Sequence, residues 1–377
     1  MSLVGDLTEG ELLDVLLPIL GSGARDGDGA ADHDGQATPD RAHVDEIGPG
    51  DDAALVHMPR GTLVTVDGLV EGQDFVWAWP CGREQDPADA GWKSIAQNVS
   101  DINAMGGEPR HVFWSLQCPA DTPLARIEGF ARGMRAALDE LAPGCRVSGG
   151  DLGTASELTS TVTVLGEPGP SGAVSRSGAR PGDVVAVAGR LGWAAAGLAL
   201  LLGDAPVTAD AEPFVQAQFR PRPPMGAWRE SAPTSLMDVS DGLGRDAHRL
   251  ARASGVRLEL SGAPLRARAD ELLPAVRALR SAPVRQDVGT GAAPASPGVA
   301  SGHSDDDAGA ALRLVLTGGE DFALLGTFPD AASVPDGFEV IGRVAGVGPN
   351  AATGAADRVL LDGAPLPAAG WDHFAGR

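Results

Sequence analysis

Hydrophobic positions along the chain fall into short runs of two kinds, and their spacing predicts strands alternating with helices. Residues 62–67 read as a strand, a short apolar and β-branched run beside glycine. Over residues 89–105, Trp92, Ile95, Ala96, Val99 and Ile102 recur at the spacing of one helix face. A strand at residues 111–117 follows. The next helix starts after Asp121, with Pro123 suited to its first turn and Ile127, Phe130, Met134, Leu138 and Leu141 on one face. Further strands are expected near residues 146–148 and 158–165.

The segment 167–182, rich in Gly, Pro and Ser, reads as a domain boundary. Beyond it a second series is predicted: a strand at 184–188, a helix at 191–202, a strand at 235–239, a helix near 246–253 and a strand at 256–260. Strand-like segments at 312–316, 323–328 and 338–343 complete it. At 377 residues the chain exceeds what one hydrophobic core usually serves. The expected fold class is therefore α/β (α+β) in two domains, residues 1–168 and 169–377. Residues 22–43 and 282–308, dominated by Gly, Ala, Asp and Pro, have almost no large side chain to bury and are expected as flexible insertions.

Charge narrows the function. A net charge of −22 sets a repelling field against nucleic acid and anionic membrane, so small molecules and cations are the expected partners. No apolar run is long enough for a membrane-spanning helix, and the start Met-Ser-Leu-Val-Gly-Asp lacks the basic and apolar stretches of a secretory signal, so the cytoplasm is the expected location. Lys93 is the one lysine among 29 basic residues, which excludes a GxxxxGK[ST] phosphate loop. Cys81, Cys118 and Cys145 form no CxxC pair or disulfide framework, and the seven histidines form no zinc signature.

The candidate chemistry lies in aspartates at strand ends or beside glycine: Asp51 and Asp52 in GPGDDAAL, Asp67 in LVTVDGLVEG, Asp101 in NVSDINAMGG, Asp151 in SGGDLGT, and Asp238 and Asp241 in MDVSDGLGRD. Each alone is an ordinary turn residue. Together, at the ends of rigid strands, they offer an oxygen-rich set suited to Mg²⁺, and without cations their repulsion would raise their pKa values. Thr65 aligns with Asp67 on one strand face, and Asp238 with Ser240 if that segment stays extended. Asn98–Asp101 and Asp238–Asp241 carry nearly the same tetrapeptide, NVSD and DVSD. Gly149 and Gly150 would let a nucleotide approach the backbone, as would Gly318 and Gly319 before Glu320 and Asp321, while Arg176 could reach a phosphate.

The ordered set GDDAAL, VTVDGLVEGQDF, WKSIAQNVSDINAMGG, GGD, SRSGARPGD, MDVSDGLGRD, LTGGEDFALL and GWDHF resembles the thiamine-monophosphate kinase family, relatives of aminoimidazole ribonucleotide synthetase. The resemblance implies the two-domain fold of that superfamily, with the N-terminal sheet pairing across a homodimer and a C-terminal αβ domain. ATP as co-substrate and thiamine monophosphate would meet in the cleft, with several Mg²⁺ ions and no covalent enzyme nucleophile. By motif, Asp52, Thr65, Asp67, Asp101, Asp151, Asp238 and Asp241 would be metal ligands; Gly150, Asp151, Arg176 and Ser240 would contact ATP; and Asp74, Glu320 and Trp371 the acceptor. Departures from the family pattern are Val66 in place of a second hydroxyl, Gln73-Asp74 where many relatives carry His before Phe75, and Leu152 in place of threonine.

Two other readings compete. One is another ATP-using enzyme of the superfamily, closest to aminoimidazole ribonucleotide synthetase. The other is a non-catalytic acidic protein that binds divalent cations, against which stands the lack of any DxDxDG loop with a glutamate at its twelfth position.

Overall fold

The structure is a computed structural model that describes residues 3–20, 58–281, 306–347 and 358–371. The expected insertion at 22–43 lies outside the described residues, as does most of that at 282–308.

The chain opens with α1 (Glu9–Leu20). Just before its first turn, the Thr8 amide donates to Glu11 Oε2 at 2.7 Å and the Glu11 amide to Thr8 Oγ1 at 3.4 Å, a reciprocal cap legible in the sequence Thr-Glu-Gly-Glu. There follow β1 (Leu63–Val70), α2 (Pro87–Ala104), β2 (Gly107–Cys118), α3 (Leu124–Leu141), β3 (Arg146–Thr154) and β4 (Thr159–Pro168). The second series is β5 (Val184–Ala188), α4 (Trp193–Leu202), α5 (Glu212–Phe219), β6 (Ser235–Val239), α6 (Leu243–Ser254), β7 (Arg257–Leu260), α7 (Gly262–Asp270) and α8 (Leu273–Ser281). It ends with α9 (Asp307–Thr317), β8 (Ala323–Phe328), β9 (Phe338–Ala345), β10 (Val359–Leu361) and β11 (Ala364–Pro365).

These strands form two sheets. The first runs in the order β1-β4-β2-β3, antiparallel except for the β2–β3 pair, which α3 joins as the crossover helix. The second has the order β11-β10-β7-β9-β5-β8-β6. Alternation along the first sheet decides its faces. Val112, Trp114, Leu116, Val162 and Val164 are buried beneath α2 and α3, with Trp114 stacked on Phe130 at 5.8 Å between ring centroids. Val64 and Val66 on the opposite face are each 62% exposed.

α2 is the element that joins the halves. Its N-terminus is set by Asp86, which accepts from the Ala88 amide, and by Pro87 in the first turn. Almost every residue after that is buried, polar ones included. One stripe of α2 faces the first sheet: Ser94 bonds Ser160 at 3.0 Å, and Gln97 donates to the Gly68 carbonyl at 3.3 Å. The other stripe faces the second half: Trp92 donates to the Pro221 carbonyl at 2.9 Å, and the Asn103 side chain accepts from the Gly226 amide at 2.7 Å and from Trp228 at 2.9 Å. The loop between β1 and α2 also crosses over, burying Trp79 and Cys81 in the second core, with Arg83 paired to Glu212 at 2.5 and 2.7 Å.

The structure corrects two sequence expectations. The segment 312–316 is no strand but part of α9, which buries Leu314, Val315 and Leu316 and whose N-cap is Asp306, accepting from the Gly309 amide at 2.8 Å. So short a segment, apolar except for Arg313, fits either element, and the cap that decides between them fell within the segment read as an insertion. Residues 306–308 therefore begin a helix. The three cysteines are buried and unpaired, and burial pushes the Cys145 thiol up to about 12, which removes it as a nucleophile. Asn98 is fully buried with its amide donating to the Ser94 carbonyl, so its Asn-Val-Ser sequence is no modification site. Among the described residues no helix is long and apolar enough to cross a membrane.

Candidate active site

The line where α2 meets both sheets carries the densest arrangement of the predicted residues. Strand pairing places Thr65 beside Val164 and Asp67 beside Val162, so both belong to the helix-covered face of β1. Thr65 Oγ1 donates to Asp101 Oδ2 at 2.6 Å, in the last turn of α2. One residue earlier on the helix, the buried Ser100 donates to Asp238 Oδ2 at 2.9 Å on β6, the edge strand of the second sheet. The near-identical tetrapeptides thus differ in conformation, one helical and one at a strand end, yet they touch.

Electrostatics mark this contact. Burial raises the Asp101 pKa, opposed by the Thr65 hydrogen bond and by the nearby Arg176 charge. Asp238 is pushed up to about 8, first by burial and then by the charge of Asp101. A half-buried carboxylate facing a buried one repels it, and a cation between them would remove the conflict.

Past Asp238 the chain turns at Gly242, whose φ of +109° is open only to glycine and whose Cβ would lie 2.6 Å from the Thr317 carbonyl. This turn leads into α6. The fully buried Asp246 accepts from the Asp241 amide at 3.0 Å, and burial raises its pKa to about 6. Arg249 pairs with both Asp241 at 2.6 Å and Asp246 at 2.7 Å. The Trp371 amide donates to the Asp241 carbonyl at 2.9 Å, and the Trp371 carbonyl accepts from Arg245.

The loop before β8 reaches the same place. Glu320 and Phe322 adopt φ of 65° and 51°, left-handed values that side chains rarely take and that cluster at functional sites. Their amides donate to the Ser240 carbonyl at 2.8 Å and the Val239 carbonyl at 3.1 Å, which tethers the loop to the end of β6. Between them Asp321 turns inward and caps α4, accepting from the Gly192 and Ala194 amides at 2.5 and 2.9 Å, while burial pushes its pKa up to about 7. Ser240, Asp241, Glu320 and Trp371 therefore converge.

Other predicted residues stand apart. Asp151 lies on β3, at the opposite edge of the first sheet from β1, three strand spacings or about 14 Å away. Its row runs Gly68, Thr161, Ser115, Asp151, on the face the helices leave open. Gly150 has a structural reason of its own, since a Cβ there would sit 2.0 Å from the Trp114 carbonyl oxygen. Asp74 accepts from the Val70 amide at 2.8 Å in the turn after β1, and exposed Asp67 accepts from the Gly68 amide at 2.8 Å. Asp52 lies outside the described residues.

Among the described residues no three acidic, His or Cys side chains are gathered closely enough to hold a metal. The set still fits magnesium, which is typically held by one or two carboxylates while substrate phosphates and water complete its shell. Asp101, Asp238 and the Thr65 hydroxyl are the residues here that could hold such an ion. Sequence reasoning missed Ser100 and Asp246 and gave Asp321 no role beyond following Gly318 and Gly319, although each lies inside a motif that it singled out; Ser100 and Asp321 adjoin a candidate residue, and Asp246 lies one helical turn and a residue beyond Asp241.

Similarity to known proteins follows this geometry. The family described as AIR synthase related protein, N-terminal domain, matches residues 50–167. The thiamine-monophosphate kinase of Mycobacterium tuberculosis is 37% identical over 336 residues, covering 87% of this chain and 86% of that protein. The crystal structure of thiamine monophosphate kinase from Aquifex aeolicus is 26% identical with a TM-score of 0.63, covering 97% of this chain and 99% of that one. A structure described as AaThiL complexed with AMPPCP and TMP is 26% identical with a TM-score of 0.64, covering 99% of both chains. With the fold shared across nearly the whole length and 37% of the aligned residues identical to a kinase of this kind, the chain belongs to the thiamine-monophosphate kinase family.

Proposed function

We propose that this enzyme transfers the γ-phosphate of ATP to thiamine monophosphate, forming thiamine diphosphate and ADP, in the cytoplasm. The observation that carries the reading is the half-buried Asp101 facing the buried Asp238 at the junction of the two sheets, in a chain whose relatives are named for this reaction. The acceptor's phosphate oxygen attacks the γ-phosphorus in line; the new P–O bond forms as the bond to the β–γ bridging oxygen breaks, and the electron pair leaves with ADP. A phosphate monoester is already anionic near neutral pH, so no strong general base is required.

The residues that would hold Mg²⁺ are Asp52, Thr65, Asp67, Asp101, Asp151, Asp238 and Asp241, and the ions when bound supply neutralisation of the phosphate charge. Ser100 and Asp246 fix the carboxylate of Asp238 and the backbone of Asp241. Arg176, beside Asp101, is suited to a phosphate oxygen, with Gly150 and Ser240 as further nucleotide contacts. Glu320, Trp371 and Asp74 would meet the acceptor.

Two further elements belong to this proposal. The division into residues 1–168 and 169–377 is supported by the first sheet ending at Pro168 and the second beginning at Val184. A homodimer through the first sheet is supported by the open face carrying Val64 and Val66, and a second copy there would also cover Asp151.

Purified protein with ATP, Mg²⁺ and thiamine monophosphate should yield thiamine diphosphate by chromatography, and unphosphorylated thiamine should go unconverted. ATP consumption without the diphosphate would overturn the proposal.

A further inference from the structure

Lys93 has no task in the reading above. It is the one lysine of the chain, and its side chain is 2% exposed. A buried ammonium group is costly unless a partner compensates it. Its Nζ lies 2.5 Å from Glu320 Oε1, yet no atom among the described residues meets it in hydrogen-bond geometry, so the contact is ionic rather than directional. From α5, the buried Gln218 donates through Nε2 to the other carboxylate oxygen, Oε2, at 2.7 Å, and its own Oε1 has no partner among the described residues. Both oxygens of Glu320 are thus gripped from the interior by two different helices. About a third of its side chain, 35%, faces solvent.

We infer that Lys93 and Gln218 are positioning residues that aim the Glu320 carboxylate outward at the acceptor and so set acceptor specificity. The inference rests on the kinase reading, with Glu320 as a contact to the acceptor. An ionised carboxylate has about four lone-pair directions; one is committed inward to Gln218 and the Lys93 charge attracts the other oxygen from the same side, which leaves the outward directions for N–H donors or a cationic ring. A second anionic group at that end of the acceptor would be rejected. The left-handed backbone of Glu320 and its amide bond to Ser240 fix the other end of the same side chain.

Helix geometry adds a distance. Lys93 and Ser100 are seven residues apart on the stripe of α2 that faces the second half, two turns or about 10 Å along the axis. One rigid, buried helix therefore spaces the carboxylate pair assigned to phosphate from the carboxylate assigned to the acceptor's far end. Arginine is a poor replacement for Lys93, because a planar fork needs room and partners that this interior contact lacks.

The test uses the full chain as Lys93→Met and Gln218→Leu, with separate KM values for thiamine monophosphate and ATP, kcat, and the thermal midpoint. Lys93→Met should raise KM for thiamine monophosphate by about 30-fold, the scale of a broken buried charge pair, and leave KM for ATP within about two-fold. Gln218→Leu removes one hydrogen bond to a charged group, and should raise the same KM by about ten-fold without loss of folding. In the double variant Lys93→Met with Glu320→Gln the thermal midpoint should recover while KM for thiamine monophosphate stays high. An equal rise in both KM values, or recovery of the acceptor KM in the double variant, would mean that Lys93 only balances a charge, and would overturn the inference. If Lys93→Met does not fold, an unchanged KM in Gln218→Leu overturns it. Failure of the wild-type chain to convert thiamine monophosphate sinks the kinase reading instead.

Discussion

The aspartates of the first sheet and those around the end of β6 stand in different surroundings. On the first sheet, Asp67 and Asp151 stand on the two edge strands and are exposed to solvent. In the second half, Asp238, Asp246 and Asp321 are buried, and burial raises the pKa of each. A solvated carboxylate makes little demand on the fold. A buried one stores electrostatic strain that persists only where surrounding packing enforces it, and Asp238, Asp246 and Asp321 all lie on or beside the segments that converge at the end of β6. The first sheet presents Asp67 and Asp151 to solvent while burial stresses Asp238, Asp246 and Asp321, and α2 brings Asp101, itself raised by burial, from the first half to Asp238 of the second.

The largest expected effect comes from relieving that stress. Asp101→Asn should lower turnover by about two orders of magnitude or more, as expected for loss of charge organisation around a reacting phosphate. In EDTA the same variant should have a higher unfolding midpoint than the wild type, because Asp238 no longer faces a second charge. Magnesium should stabilise the wild type, by about 2.7 kcal/mol at a hundred times its dissociation constant, and much less so the variant. Near-normal turnover at limiting Mg²⁺, with no gain in metal-free stability, would break the comparison.

Asp321→Asn tests burial without the metal pair. The amide cannot accept from both the Gly192 and Ala194 amides, so a cost of about 1–3 kcal/mol is expected in urea unfolding. The pH dependence has a definite sign. With a folded pKa of about 7 against an ordinary carboxylate near 4, the folded state binds the extra proton between those values. Stability from this group is therefore greatest at the acid end, falls as pH rises toward 7, and is level above it. The gap between wild type and variant should narrow from pH 5.5 to pH 8; a gap that widens would remove Asp321 from the stressed set.

The smallest effect belongs to the first sheet. Val64→Thr with Val66→Thr should change stability by no more than about 0.5 kcal/mol per site, since both side chains already face water in the single chain. Light scattering should nevertheless show the pair of substitutions shifting the protein from dimer to monomer. A wild-type monomer, or an unaltered dimer, would end the proposal that this face pairs with a second copy.

Much of the architecture was legible because periodicity reports directly on which side of an element is buried. The helical spacing of Trp92, Ile95, Ala96, Val99 and Ile102 located α2, and the strand runs located β1, β2, β4, β5, β6, β8 and β9 to within a few residues. The fold class and the family were readable for the same reason, reinforced by the order of the motifs. Leu312–Leu316, apolar except for Arg313, was misread because a segment of that length is compatible with either period, and α1 was passed over although its capping pattern was present.

The sequence by itself determined the inventory: dispersed aspartates beside glycine, a single lysine, and a polar stripe along α2 opposite an apolar one. Only the tertiary structure decided which members of that inventory meet. It set Ser100 against Asp238, Lys93 against Glu320 and Asp321 against the start of α4, while leaving Asp151 across the sheet on the open face. The reason is that periodicity fixes the direction of a side chain relative to its own helix or strand. Its neighbour across the core depends on how two sheets clamp one helix, and on whether burial there leaves a charge with water, with a partner, or with another charge.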